Sequence, residues 1–118
     1  MNSNEVNSTM SGNWRVASPG EVRGRAVVVR SQVDLARVTP GSVLVATQTD
    51  VNYAAQMLTA AAVLTEDGGR YSHAAIFCRE NAIPCMVGIE GLLDAVTDGA
   101  EIVVSTGNRT LEIREVQA

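Results

Sequence analysis

Apolar and polar positions follow two different periods along this chain, and the switches between them mark its elements. Pro19, Gly20 and Gly24 punctuate a turn region, after which the β-branched run Ala26-Val27-Val28-Val29 reads as a strand over about Arg25 to Arg30. Ser31 is placed to cap a short helical turn through Val33, Leu35 and Ala36, which Pro40-Gly41 ends. Val43-Leu44-Val45-Ala46 is apolar throughout, the pattern of a strand buried on both faces. Asp50 stands as an N-cap, and behind it Val51, Ala54, Ala55 and Leu58 recur at helical spacing. Ala61 to Thr65 is a third buried strand, followed by a loop over Glu66 to Tyr71. Ser72 opens a helix to about Glu80, with Asn81 at its end, and Pro84 to Val87 is a short fourth strand. Ile89 to Val96 predicts a small helix and Asp98-Gly99 a turn. Glu101 to Ser105 and Thr110 to Arg114 alternate apolar with polar, which predicts a hairpin across Gly107-Asn108 with one solvated face.

From Val43 to Val87 the order is strand, helix, strand, helix, strand, which favours parallel crossovers; the ends are hairpin material. The expected fold class is α/β: a single compact β/β/α domain with small mixed sheets and flanking helices. Residues 1–13, rich in Asn and Ser and without a hydrophobic period, are expected to be a disordered tail, and residues 14–118 the domain. A chain of 118 residues holds one modest core.

Composition narrows the chemistry. Lysine is absent, so a P-loop lysine, a Schiff-base lysine and a lysine general base are all excluded. The net charge of −4 and the four aromatics, Trp14, Tyr53, Tyr71 and Phe77, argue against nucleic acid as a partner. No apolar run approaches the roughly 18 residues of a membrane span. The polar N-terminus carries no secretory h-region, so a cytoplasmic protein with reduced thiols is expected. Cys78 and Cys85 are separated by six residues, which is not a C-x-x-C motif, and no metal site is expected. His73 is the only histidine, so any chemistry that needs an imidazole must use it.

His73 stands in the sharpest local feature of the chain, Gly68-Gly69-Arg70-Tyr71-Ser72-His73-Ala74-Ala75-Ile76, between a buried strand and a helix. Gly68 and Gly69 let the backbone take positive φ and approach a ligand closely. Ser72 as N-cap puts His73 in the first helical turn, where N–H groups are unpaired and the helix dipole is positive. That end of a helix disfavours an imidazolium and suits an anion, so it fits both a neutral nucleophilic ring and its phosphorylated product. Arg70 could add a charge-assisted bond to the phosphoryl oxygens. On residue types alone, a capping or surface histidine is the commoner reading.

A longer string carries more. Leu64-Thr65-Glu66-Asp67-Gly68-Gly69-Arg70-Tyr71-Ser72-His73-Ala74-Ala75-Ile76-Phe77-Cys78-Arg79-Glu80, then Ile83-Pro84-Cys85-Met86-Val87-Gly88, resembles the swivelling phosphohistidine domain of enzymes that use phosphoenolpyruvate. These include pyruvate phosphate dikinase, phosphoenolpyruvate synthase and rifampin phosphotransferase. Gly24-Arg25-Ala26, Pro40 to Ala46, and Asp98-Gly99 with Glu101 to Val104 resemble further segments of the same family, so the likeness runs from about Arg15 to Glu115. The resemblance implies the swivelling β/β/α fold and makes His73 the phosphoryl-accepting residue. It implies a phosphate-stabilising role for Gly68, Gly69, Arg70, Tyr71 and Ser72, and a structural or docking role for Arg79 and Glu80. Two positions depart from the family pattern: Tyr71 stands where a threonine is usual, and Cys78 where alanine is usual.

The resemblance also implies partners. A phosphoryl carrier of this kind works with a nucleotide-binding, ATP-grasp-like domain, a phosphoenolpyruvate-binding barrel, or both, on another polypeptide or a fused segment. It binds no cofactor itself; ATP or phosphoenolpyruvate, with Mg, is held by the partner, and the chain alone is not expected to turn over. The alternative is a binding or regulatory module that keeps the fold without phosphoryl transfer. A Ser72–His73 hydrolase is disfavoured, because adjacent helical residues diverge by about 100° and rarely pair as nucleophile and base.

Overall fold

The computed structural model describes residues 5–116. Eight strands and four helices follow one another as β1 (Glu5–Ser11), β2 (Arg15–Ser18), β3 (Glu21–Val29), α1 (Gln32–Leu35), β4 (Val43–Ala46), α2 (Ala54–Thr59), β5 (Ala62–Thr65), α3 (His73–Asn81), β6 (Cys85–Val87), α4 (Leu92–Ala95), β7 (Glu101–Ser105) and β8 (Thr110–Val116). A 3-10 turn, Val51–Tyr53, leads into α2. The strands lie in the order β1-β8-β7-β3-β4-β5-β6-β2. The fold is the expected α/β domain with mixed strand directions.

β3 joins the two halves of this sheet. Its first part, Glu21 to Arg25, pairs antiparallel with β7, and its second part, Ala26 to Val29, pairs parallel with β4. Gly24 lies at the changeover, and a Cβ there would come 2.3 Å from the Gly41 carbonyl oxygen. Gly24 is therefore a strand residue chosen for close approach, not the turn its composition suggested. β4, β5 and β6 continue in parallel, as the strand–helix alternation predicts.

The parallel strands are buried on both faces because their residues supply two cores. Val43, Val45 and Leu64 face a core with Met86, Ile102 and Ile113. Leu44, Ala46 and Val63 face the other, with Met57 and with Ala74, Ala75 and Cys78 of α3. Cys78 and Cys85 are both buried and unbridged. The neighbouring Cys78 thiol and burial push the Cys85 thiol well above the usual range, so both act as packing residues.

The chain's first strands and two of its helices differ from expectation. Met1–Asn4 lie outside the described residues, but over Glu5–Ser11 the expected tail is a strand, β1, paired antiparallel with β8 along its whole length. β2, unforeseen, pairs antiparallel with β6 at the opposite edge. In α2 the buried residue is Met57, 0% exposed, whereas Leu58 is 57% and Val51 75% exposed. Val51 and Leu58 both lie on the outward side, and Tyr53, Met57 and Ala60 supply the inward one; Asp50 caps the 3-10 turn that leads into α2 by accepting from the Asn52 N–H at 2.8 Å. Ser31 makes no side-chain cap to α1. Asp34 closes that turn instead, accepting from the Arg30 N–H at 2.9 Å, and this bond with the Arg37 guanidinium holds its carboxyl below the ordinary value.

Candidate functional site

β5 ends at Thr65, and the residues after it cross the carboxyl end of the parallel strands to reach α3. Short tethers fix their path. The N–H groups of Glu66 and Asp67 donate to the Ala46 and Thr47 carbonyls at 3.1 and 2.9 Å. The Thr65 hydroxyl donates to the Asp67 carbonyl at 2.7 Å, and the Glu66 carboxylate accepts from the Leu93 N–H at 2.9 Å. The loop after β5 is thus laid against the loop after β4, the location where open α/β sheets place their ligands.

Gly68 turns the chain with φ +118°, and a Cβ on it would lie 2.8 Å from Ser72 Oγ. Glycine answers both demands. Ser72 is extended and caps α3, its Oγ accepting from the Ala75 N–H at 3.3 Å. This leaves the N–H groups of His73 and Ala74 without helical partners. His73 is the first residue of α3 and is half-buried. Its Nδ1 lies 2.8 Å from the hydroxyl of buried Thr49, and its ring stacks on Phe77 one turn later, with centroids 5.6 Å apart. With the ring proton on Nδ1, the Thr49 hydroxyl accepts it and Nε2 keeps its lone pair; with the proton on Nε2, the hydroxyl donates to Nδ1. An open cavity of about 240 Å³ lies here, lined by Gln48, Thr49, Asp67, Gly68, Ser72 and His73 among others.

The structure gathers Gly68, Ser72 and His73 at this cavity. Gly69 stands in open space, with no atom near enough to oppose a side chain, and its φ is not left-handed. Arg70 and Tyr71 line a separate groove of about 420 Å³ with Arg15, Val16 and Arg79. The Arg79 guanidinium donates to the Arg70 carbonyl at 3.3 Å, tying α3 back to the loop, and Glu80 is exposed near the end of α3.

Thr49 is the site residue that sequence reading missed. It sits 24 positions before His73 and reaches it only because β4 and β5 pair in register, Ala46 opposite Thr65. Its one signal in the sequence is a hydroxyl three residues beyond a buried parallel strand, where ligand-facing groups collect.

No helix among the described residues is long and apolar enough to cross a membrane. In fold, the chain is similar to aconitase X of Thermococcus kodakaraensis, with a TM-score of 0.65 at 16% identity over 90% of this chain and 98% of that one. It is also similar to the UPF0107 protein solved by NMR, with a TM-score of 0.63 at 14% identity over 94% of this chain and 100% of that one. In sequence it is 41% identical over 95 residues to phosphoenolpyruvate synthase of Pyrococcus furiosus, spanning 80% of this chain and 12% of that protein. It is 40% identical over 97 residues to an uncharacterized protein of Mycobacterium tuberculosis, spanning 82% of this chain and 11% of that protein. The chain therefore spans about an eighth of the length of these relatives, which carry it within much larger proteins. Residues 38–109, from the segment before β4 to the β7–β8 turn and with the His73 loop inside, match the family described as PEP-utilising enzyme, mobile domain, and the chain belongs to that family.

Proposed function

We propose that this domain is a phosphoryl carrier. His73 takes a phosphoryl group from ATP or phosphoenolpyruvate, held with Mg on a nucleotide-binding, ATP-grasp-like domain or a barrel domain, and delivers it to an acceptor at a second site. The Nε2 lone pair forms the N–P bond while the bond from phosphorus to the donor's bridging oxygen breaks, and that oxygen leaves with the electron pair. Delivery reverses the step: an acceptor oxygen bonds phosphorus and the pair returns to Nε2. The proton on Nδ1 remains in its bond to Thr49 throughout. The reading places the carrier in the cytoplasm, where both donors are made.

The observation that carries this reading is the fixed imidazole: Nδ1 is held by Thr49 at 2.8 Å, and the ring stands on the first turn of α3 beside unpaired N–H groups. A neutral ring with one nitrogen engaged presents the other to phosphorus, and the helix end offers donors to the phosphoryl oxygens. Phosphoryl transfer asks for such positioning and charge stabilisation more than for covalent assistance.

The test is labelling. Incubation with a matching nucleotide-binding domain and ATP, or with a barrel domain and phosphoenolpyruvate, should give a singly phosphorylated chain whose label is lost in acid and kept in alkali. His73→Ala should abolish the label and leave the circular dichroism spectrum unchanged. A folded wild-type chain left unlabelled by both donors would sink the carrier reading in favour of a binding module.

A further inference from the structure

The groove beside the His73 cavity has a charge pattern that phosphoryl transfer alone does not use. It is lined by Arg15 and Val16 on β2, Arg70 and Tyr71 on the loop, and Arg79 on α3, with no acidic residue in its wall. The chain as a whole is acidic, with net charge −4. Elsewhere its arginines are engaged. Arg37 is paired with Asp34 and Asp98, and Arg23 and Arg114 with Glu101. Arg25, Arg30 and Arg109 each donate to a backbone carbonyl. In the groove, the guanidiniums of Arg15 and Arg70 have no hydrogen bond or ion pair among the described residues, and that of Arg79 reaches only the Arg70 carbonyl. Three like charges gathered without a counter-charge repel one another, and an anionic occupant relieves that repulsion.

The shape and composition favour a protein face. The groove is shallow and open, and Tyr71 projects from it, 79% exposed. Arginine and tyrosine are the residues that dominate binding energy at protein interfaces, arginine through bidentate bonds to carboxylates. β2 is the last strand of the sheet, and Arg15 is exposed at its start. Arg70 and Tyr71 are continuous with Ser72 and His73, so a surface that grips the groove brings its own edge alongside the histidine.

We propose that this groove is a docking surface for a carboxylate-rich face of the domain that loads or unloads His73. The partner identity rests on the carrier reading; the occupancy of the groove by carboxylates does not. Arg15, Arg70 and Arg79 supply the long-range attraction and the bidentate contacts, and Tyr71 is the aromatic anchor.

Titration of the isotope-labelled chain with poly-L-glutamate, and in parallel with inorganic tripolyphosphate, tests the surface without any transfer step. Poly-L-glutamate should shift the amides of Arg15, Arg70, Tyr71 and Arg79, with affinity falling by about tenfold from low to physiological salt. The triple variant Arg15→Ala/Arg70→Ala/Arg79→Ala should lose those shifts and the triple Arg→Lys variant should keep part of them. Arg70→Glu alone, which leaves the Arg79 tie to the backbone in place, should also weaken binding. Tight, localised shifts with tripolyphosphate and none with poly-L-glutamate would replace the protein face by a phosphoanion site and overturn the proposal, as would scattered or absent shifts with both. His73→Ala should bind poly-L-glutamate like wild type. A chain that docks yet never labels therefore refutes the carrier alone, and a chain that labels at the same rate with Arg70→Glu as without refutes the dock alone.

Discussion

His73 is chemically ordinary as a residue type; what distinguishes it is the company that the fold gives it. The Thr49 hydroxyl 2.8 Å away fixes the ring through Nδ1, and Phe77 backs its face. Removing that bond should leave the ring free to turn. Thr49→Val is expected to slow labelling of His73 by up to about tenfold, the value of one modest hydrogen bond. Thr49→Ser, which keeps the hydroxyl, should restore most of the rate. A positioning role predicts in addition that nitrogen-15 NMR of the imidazole shows a single tautomer in the wild type and Ser variant and a mixture in the Val variant alone. The two glycines of the loop should separate in the same way. Ala at Gly68 meets both a left-handed φ and Ser72 Oγ at 2.8 Å, so it should cost roughly 2–4 kcal/mol in urea unfolding through strain and the lost cap. Gly69→Ala, in open space, should change stability by under about 0.5 kcal/mol. The adjacent glycines look alike in sequence; only the position of Ser72 relative to each tells them apart.

At the scale of elements, the strand–loop–helix around His73 was legible because every cue in it is local. The apolar run of β5, two glycines, a capping serine and the small buried residues of α3 all act within 20 positions. Thr49 was not legible, since its contact depends on which strand lies beside β5. The face of α2 was misread for a related reason. Val51 and Leu58 do share one side, but it is the exposed one; which side turns inward is set by the sheet the segment packs on, and there Met57 fills the core with Tyr53 and Ala60 beside it. Truncations on the two residues distinguish these registers. Met57→Ala should destabilise by about 2–5 kcal/mol and Leu58→Ala by less than about 1 kcal/mol, measured by chemical unfolding. The reverse order would turn the Val51–Leu58 side inward.

Over the whole molecule, the parallel centre was legible and the antiparallel wing was partly hidden. β4 and β5 are apolar on both faces and advertise themselves, whereas β1 is an edge strand with one partner. Asn7 to Thr9 are exposed and Met10 packs against the core, and the strand's sequence, rich in Asn and Ser, carries almost no apolar period. What it contributes is a row of backbone bonds that cover β8 from Thr110 to Val116. Deleting residues 1–11 tests whether that cover matters. Each backbone bond is worth only about 0.5–1.5 kcal/mol net, and ordering each residue costs about 1–2 kcal/mol, so much of the gain cancels. The deletion is expected to lower stability by about 1–3 kcal/mol, mostly through Met10 and the newly solvated flank of β8. The larger consequence is the edge itself. The full chain ends the sheet on polar β1, whereas the deletion ends it on β8 with Leu111 and Ile113; an apolar edge is the stronger template for another chain, so the shortened protein should self-associate with rising concentration in sedimentation velocity runs while the full chain does not change. An unfolding midpoint and a sedimentation coefficient both unaffected by the deletion would return residues 5–11 to the status of a tail.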